Sequence, residues 1–283
     1  MPDPASPSPA PNPAPQRFDL TIAYDGAAFH GWQRQLPPNA EEPRTVQGVL
    51  ETTLSRALQQ PVTLTGASRT DTGVHALGQR AHVDLVTPIP HDRLADAMNA
   101  RLPDDVFIAN AAPVPDTFHA IRNVAAKEYR YRIATSPMKP LWRRTQVYHH
   151  PHHTHRPFTL NLDRMNDAAA RLVGTHDIAG LAAADHGRTT TVRTILACTV
   201  TPEPNPFDEH NPDLVITIEG DGFLYNTVRI VAGTLVEIGR GKLHPSRIDD
   251  ILATADRTLA GPTLPPQALT LMWIKYASGD LAI

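Results

Sequence analysis

The sequence predicts an α+β fold: two ferredoxin- or RRM-like βαββαβ halves joined into one extended, mostly antiparallel sheet, with helices on one face and a central cleft between the halves. Three observations predict it. The order strand, helix, strand, strand, helix, strand is read across residues 17–116 and repeats across residues 117–283. The helical stretches carry one-sided apolar stripes, whereas the runs between them are short, apolar and closed by Gly, Pro or Asp. A chain of 283 residues with 41% apolar and 19% charged content can also bury a sizeable core.

Residues 1–16 hold seven prolines among small and polar residues and read as a disordered tail. Residues 18–24 alternate as a strand that ends at the Asp25-Gly26 turn. Residues 29–35, Phe-His-Gly-Trp-Gln-Arg-Gln, either face RNA or form a capped loop. Residues 36–43 read as a surface insertion. The helix over 45–60 aligns Val46, Val49, Leu50, Leu54, Ala57 and Leu58, with Thr45 as N-cap and Pro61 as stop. Strands 62–66 and 79–86, helix 91–102 and strand 106–112 complete the first half. The second half has strand 128–133, helix 162–173 with Asn161 as cap, strands 191–201 and 214–219, and helix 224–238. A short helix over 247–258, opened by Ser246, and a closing strand over 269–276 follow.

The composition excludes several classes. One cysteine, Cys198, leaves no disulfide framework and no cysteine zinc site, and its apolar run implies an inert buried thiol. No stretch is long enough to span a membrane, and the N-terminus lacks the pattern of a secretory signal, so a cytoplasmic protein is expected. The net charge of −3 argues weakly against a nucleic-acid substrate, but a basic cleft on an acidic body satisfies both.

The chemistry concentrates in residues 66–80, Gly-Ala-Ser-Arg-Thr-Asp-Thr-Gly-Val-His-Ala-Leu-Gly-Gln-Arg. Small residues between strands mark a tight connection, where Asp71 can point into a cleft while the strands hold its backbone. An ordinary turn would use the same residue types. A Ser68-His75-Asp71 hydrolase is a rival, though closeness in sequence is not triad geometry and no nucleophile-elbow glycine follows the serine.

Tyr129 and Tyr131 share one face of their strand, and Glu128, Arg130 and Arg132 the other. The tyrosines either stack on bases or fill the core. Arg229 is a lone cation among apolar helical positions, so it either pairs with a carboxylate, Asp71 being the candidate, or points to solvent. Pairing would lower the Asp71 pKa below its ordinary value. The cluster His149, His150, His152, His153 and His155 reads as a loop and not a metal site.

Gly66, Arg69-Thr70-Asp71, Gly73-Val74-His75 and Gly78-Gln79 resemble the signature loop of the anticodon-arm tRNA pseudouridine synthases. Tyr24-Asp25-Gly26 with Gly31-Trp32-Gln33-Arg34-Gln35 resembles that family's first strand and loop, and Val46-Gln47 with Leu50-Glu51 its first helix. Phe118-His119-Ala120, Tyr129-Arg130-Tyr131, Phe223 through Arg229 with Gly233, and Leu269-Thr270-Leu271 continue the likeness across residues 17–277. The chain departs from the family pattern at Glu128, where a basic residue is common, and at Ala268-Leu269-Thr270, where Gly-Leu-Tyr is usual.

The resemblance implies a synthase that isomerises uridine to pseudouridine at positions 38–40 of the anticodon arm, with no cofactor. By it, Asp71 is the nucleophile and Arg229 its ion-pair partner. Tyr129 stacks on the target uracil, Leu269 packs on the other side, and Arg69 holds the flipped nucleotide's place in the RNA. The resemblance further implies a homodimer with tRNA held across both subunits. A non-catalytic RNA-binding protein built on the same halves is the alternative; it would use Tyr129 and the arginines but not Asp71.

Overall fold

Each half of the chain threads its strands in the same order. The computed structural model describes residues 14–35, 41–150, 160–183 and 189–277. The first half runs β1 (Gln16–Tyr24), α1 (Val46–Leu58), β2 (Thr65–Gly66), β3 (His75–Leu85), α2 (His91–Asn99) and β4 (Val106–Pro113). The second runs β5 (Val124–Ala134), β6 (Tyr148–His149), α3 (Leu162–Arg171), β7 (Gly174–Asp177), β8 (Val192–Glu203), β9 (Asp213–Gly220), α4 (Thr227–Gly239), α5 (Arg247–Thr254) and β10 (Leu269–Tyr276). One sheet of ten strands contains them all, in the order β4-β1-β3-β10-β5-β9-β8-β7, with β2 beside β3 and β6 beside β5. The four main strands of each half therefore lie fourth, first, third, second, the ferredoxin-like arrangement. The fold is α+β, and a single apolar core runs from Phe18 in β1 to Ile274 in β10.

The two halves join along β3, and the joint is split. β2 pairs with β3 at Ala81 and His82, whereas β10 pairs with it in parallel at His75 and Ala76. The chain leaving β2 must cross this fork to re-enter β3. Residues 67–74, the Asp71 loop, are that crossing.

Several boundaries differ from expectation for identifiable reasons. Residues 62–64 make no ladder. Side chains of α1 take their place: Leu64 N donates to Glu51 Oε1 at 2.9 Å, and Gln47 Nε2 donates to Leu64 O at 3.1 Å. β3 starts four residues early, at His75, because it gains β10 as a neighbour, a pairing between elements far apart in sequence. α4 starts at Thr227 and not at 224, since Asn226 is left-handed at φ 63°. α2 ends at Asn99, whose side-chain amide exchanges two hydrogen bonds of 2.8 Å with the Ile108 main chain. Ser246 does not cap α5; its hydroxyl meets His244 Nδ1 at 2.9 Å. β6 and β7 are short edge additions with no alternating pattern to announce them. Thr45 and Asn161 do cap α1 and α3, accepting from Gly48 N and Arg164 N.

The proline tail falls mostly outside the described residues, as do residues 36–40 of the expected insertion and His152, His153 and His155. No described helix is long and apolar enough to cross a membrane.

Candidate active site

The Asp71 loop is held by the segment that follows β1. The Trp32 amide donates to Thr70 O at 3.0 Å, and the Gly73 amide to Phe29 O at 3.2 Å. The Tyr24 hydroxyl and Thr70 Oγ1 share a buried hydrogen bond of 2.7 Å. Gly31 adopts φ +87°, and a Cβ there would stand 2.7 Å from Thr70 O. Only glycine permits this approach without strain. Residues 29–35 thus buttress the loop through Phe29 and Trp32, each 1% exposed, while His30 and Gln35 are exposed and Gln33 lines the adjoining cleft. Gln79, fully buried in β3, continues the ladder across the fork with its side chain. Its Oε1 accepts from Ser68 N at 3.2 Å, and its Nε2 donates to Ser68 O at 2.5 Å.

So held, the loop lines a cleft of about 810 Å³, whose far wall comes from β5, residues 223–229 and Leu269. Asp71 stands in it with its side chain 31% exposed, and Arg229 Nη1 lies 3.4 Å from its Oδ2. The Arg229 guanidinium is itself fixed: Nη1 donates to Asn226 Oδ1 at 2.6 Å and Nε to Leu264 O at 2.7 Å. Tyr129 and Leu269, each 6% exposed, line the cleft, and Arg69 sits exposed at its rim. The five residues singled out by sequence therefore border one cleft. Tyr131 does not; it is wholly buried, and its hydroxyl donates to Pro265 O at 2.9 Å. Glu128 pairs with Arg130 at 3.0 Å.

The expected downward shift of Asp71 is corrected by its surroundings. Burial pushes the carboxyl above the ordinary range, and the charge and hydrogen bond of Arg229 offset this only in part. Burial also pushes the Tyr129 phenol up to about 12, so it stays protonated. The Cys198 thiol, buried, is likewise pushed up to about 12, as befits an inert group.

Ser68, His75 and Asp71 do not form a triad. Ser68 Oγ bonds the Tyr129 hydroxyl at 3.0 Å and accepts from Lys127 Nζ at 3.2 Å. His75 points elsewhere, accepting from Gly26 N at Nδ1 (3.1 Å) and facing the oxygens of Thr145 and Gln267 at Nε2 (2.7 and 3.1 Å). Ser68 and Lys127 are site residues that sequence reasoning missed, although Lys127, two residues from Tyr129 on a strand, shares its face. Phe223 was also missed as a wall; its ring meets Tyr129 edge-on at 5.5 Å and 85°. Among the described residues, no group of three or more His, Cys, Asp or Glu is placed to hold a metal ion.

A half-buried carboxylate faced by an arginine, in a cleft of about 810 Å³ walled by Tyr129 and Phe223, marks a candidate enzyme site on paired ferredoxin-like halves. Comparison with known proteins specifies the class. The tRNA pseudouridine synthase family profile matches residues 20–122 and 168–277. The tRNA pseudouridine synthase A of Ruminiclostridium cellulolyticum is 42% identical over 261 residues, covering 92% of this chain and 100% of that protein. Its counterpart in Thermoanaerobacter sp. strain X514 is 41% identical over 258 residues, 91% of this chain and 98% of the relative. That of Halalkalibacterium halodurans is 41% identical over 255 residues, 90% of each. The chain belongs to the tRNA pseudouridine synthase family. It is an isomerase whose general reaction is conversion of uridine to pseudouridine in tRNA.

Proposed function

We propose that the protein modifies uridines at positions 38, 39 and 40 in the tRNA anticodon arm, with Asp71 as nucleophile. The observation that carries the catalytic part of this reading is Asp71 itself: one carboxylate among the cleft residues, its loop buttressed by residues 24–32 and Gln79 and its charge faced by Arg229. The reaction breaks the N1–C1′ glycosidic bond, turns the uracil and joins C5 to C1′, so it consumes no redox cofactor or nucleotide. A carboxylate faced by an arginine, which offsets part of the upward shift that burial imposes, suits covalent attack.

The target uridine lies in a stacked arm and must be flipped out, at a cost of a few kcal/mol. Stacking on Tyr129, with Leu269 across the site, offsets part of that cost, and Arg69 fills the nucleotide's place in the RNA. Arginine contacts to phosphate position the arm without reading sequence. We read residues 17–116 and 117–283 as two α/β halves acting as one unit, a homodimer in the cytoplasm as the working form, and tRNA as the partner held across both subunits.

The test is tritium release from tRNA carrying [5-³H]uridine, followed by mapping of the modified positions. C5 loses its hydrogen only when it becomes the glycosidic carbon. Release by the wild type at positions 38–40, and none by Asp71→Ala, is the expected result. Binding without release would support the RNA-binding alternative, and release from another arm would overturn the assigned positions.

A further inference from the structure

We propose that Ser68 and Lys127 are positioning residues that hold the Tyr129 hydroxyl and so fix the angle at which its ring faces the cleft. The inference rests on the reading that Tyr129 contacts the target base, and deepens it.

Three polar groups stand in series on the cleft wall. Lys127 Nζ lies 3.2 Å from Ser68 Oγ, which lies 3.0 Å from the Tyr129 hydroxyl. Lys127 and Tyr129 project from one face of β5, and Ser68 enters from the Asp71 loop, so the series bridges the two halves. A lysine ammonium only donates, so Ser68 Oγ must accept from it. A hydroxyl that accepts from a cation becomes a stronger donor, and the neighbour in reach is the Tyr129 oxygen. Ser68 then donates to Tyr129, and the phenolic proton is left to point elsewhere. The direction is consistent with the electrostatics, in which the Ser68 hydrogen bond pulls the Tyr129 pKa down against the larger effect of burial.

The remaining freedom of that proton is small. The ring is fixed edge-on against Phe223, and its plane sets the arc on which the O–H can lie. A ring held both at its edge by Phe223 and at its hydroxyl by Ser68 keeps one face in place for a stacked base. Ser68 is held for this task by its own main chain, both groups of which are clamped by Gln79. Neither Ser68 nor Lys127 needs to touch the base; both act through Tyr129.

The test is a double-mutant cycle on the full-length protein, read by single-turnover tritium release and by tRNA affinity. Ser68→Ala should slow the single-turnover step about tenfold, the worth of one buried hydrogen bond, with tRNA affinity within about twofold of wild type. Tyr129→Phe should slow it at least as much. The decisive comparison is Ser68→Ala in the Tyr129→Phe background, where it should cost nothing further. Lys127→Met provides a second entry to the series and should likewise lose its rate effect in that background. Independent, multiplying losses would overturn the proposal, as would an unchanged rate in Ser68→Ala or a loss confined to tRNA affinity. A wild-type protein that binds tRNA but releases no tritium overturns the functional reading itself, and is distinguishable because no variant comparison is needed to see it.

Discussion

Asp71 and Arg229, 158 residues apart in sequence, meet at 3.4 Å across the cleft that separates the two halves of the sheet. Arg229 reaches that point because the Nη1 that faces Asp71 also donates to Asn226 and its Nε donates to Leu264 O, and Asp71 because its loop is pinned to residues 26–32. The carboxylate is nonetheless less comfortable charged than it would be in water, since burial outweighs the arginine.

Asp71→Asn should therefore abolish turnover without harming the fold. A carboxyl with a raised folded-state pKa contributes stability below its unfolded value near ~3.9 and loses it as pH rises through the folded value. At neutral pH the ionised Asp71 thus works against folding, and its neutral isostere removes that burden. The expected outcome is a fall of about a thousandfold or more in tritium release, with a melting temperature at pH 7.5 equal to or above wild type. A variant that keeps its activity would remove Asp71 from the chemistry.

The same sign governs the pH–rate profile. On the proposed role of Asp71 the carboxylate is the reacting form, so the rate should fall with decreasing pH at a midpoint above that of a free aspartate. Arg229 lowers the Asp71 pKa, so Arg229→Met should move the midpoint further up. Arg229→Ala should also cost about 1–3 kcal/mol in denaturant unfolding, because it leaves the half-buried Asp71 and the Leu264 carbonyl without their partner. An acid limb that stays put in Arg229→Met would show that the pair does not tune Asp71.

Gly31→Ala tests the buttress. The substitution forces an L side chain into φ +87° and places a methyl 2.7 Å from Thr70 O, the carbonyl next to Asp71 in sequence. Stability should fall by about 1–3 kcal/mol, and turnover should fall several-fold with tRNA affinity preserved. Hydrogen exchange should locate the loosening in residues 67–74; protection unchanged there would mean that the loop is rigid without residues 26–32.

Local signals made the helices legible in sequence: Thr45 and Asn161 cap as their side-chain chemistry dictates, and the apolar stripe of α1 faces the core. The alternation that places Tyr129 opposite Arg130 also survives in the fold. What stayed hidden depends on partners distant in sequence. β3 extends back to His75 where β10, near the C-terminus, lies beside it at His75 and Ala76. Residues 62–64 lose their strand to Gln47 and Glu51, side chains whose main-chain targets no periodicity reveals. Within the site, Asp71 stood out through the likeness of residues 66–79 to a family's signature loop, since Asp among glycines is by itself an ordinary turn residue. Ser68 did not, because a serine in a turn has many structural duties. The Asp71 pKa was misjudged because sequence can suggest the arginine but cannot supply the depth of burial.

Gln79 provides a test in which charge replaces a donor at constant shape. Its amide is fully buried, and it donates to Ser68 O while accepting from Ser68 N and Arg80 N. Gln79→Glu keeps the accepting oxygen but sets a second oxygen against the Ser68 carbonyl. An ionised carboxylate there is both desolvated and repelled, so the side chain must take up a proton to restore the donor. Its folded-state pKa is thereby raised, and the stability it contributes is present at low pH and lost as pH rises through that value. Gln79→Glu should accordingly be less stable than Gln79→Ala at pH 8, and should recover relative to it as pH falls towards 5. The measurement is denaturant unfolding of both variants across that range, with wild type setting the baseline. Parallel pH dependences for the two variants would mean that the carboxylate escapes to water, and that the Ser68 main chain is held by something other than this amide.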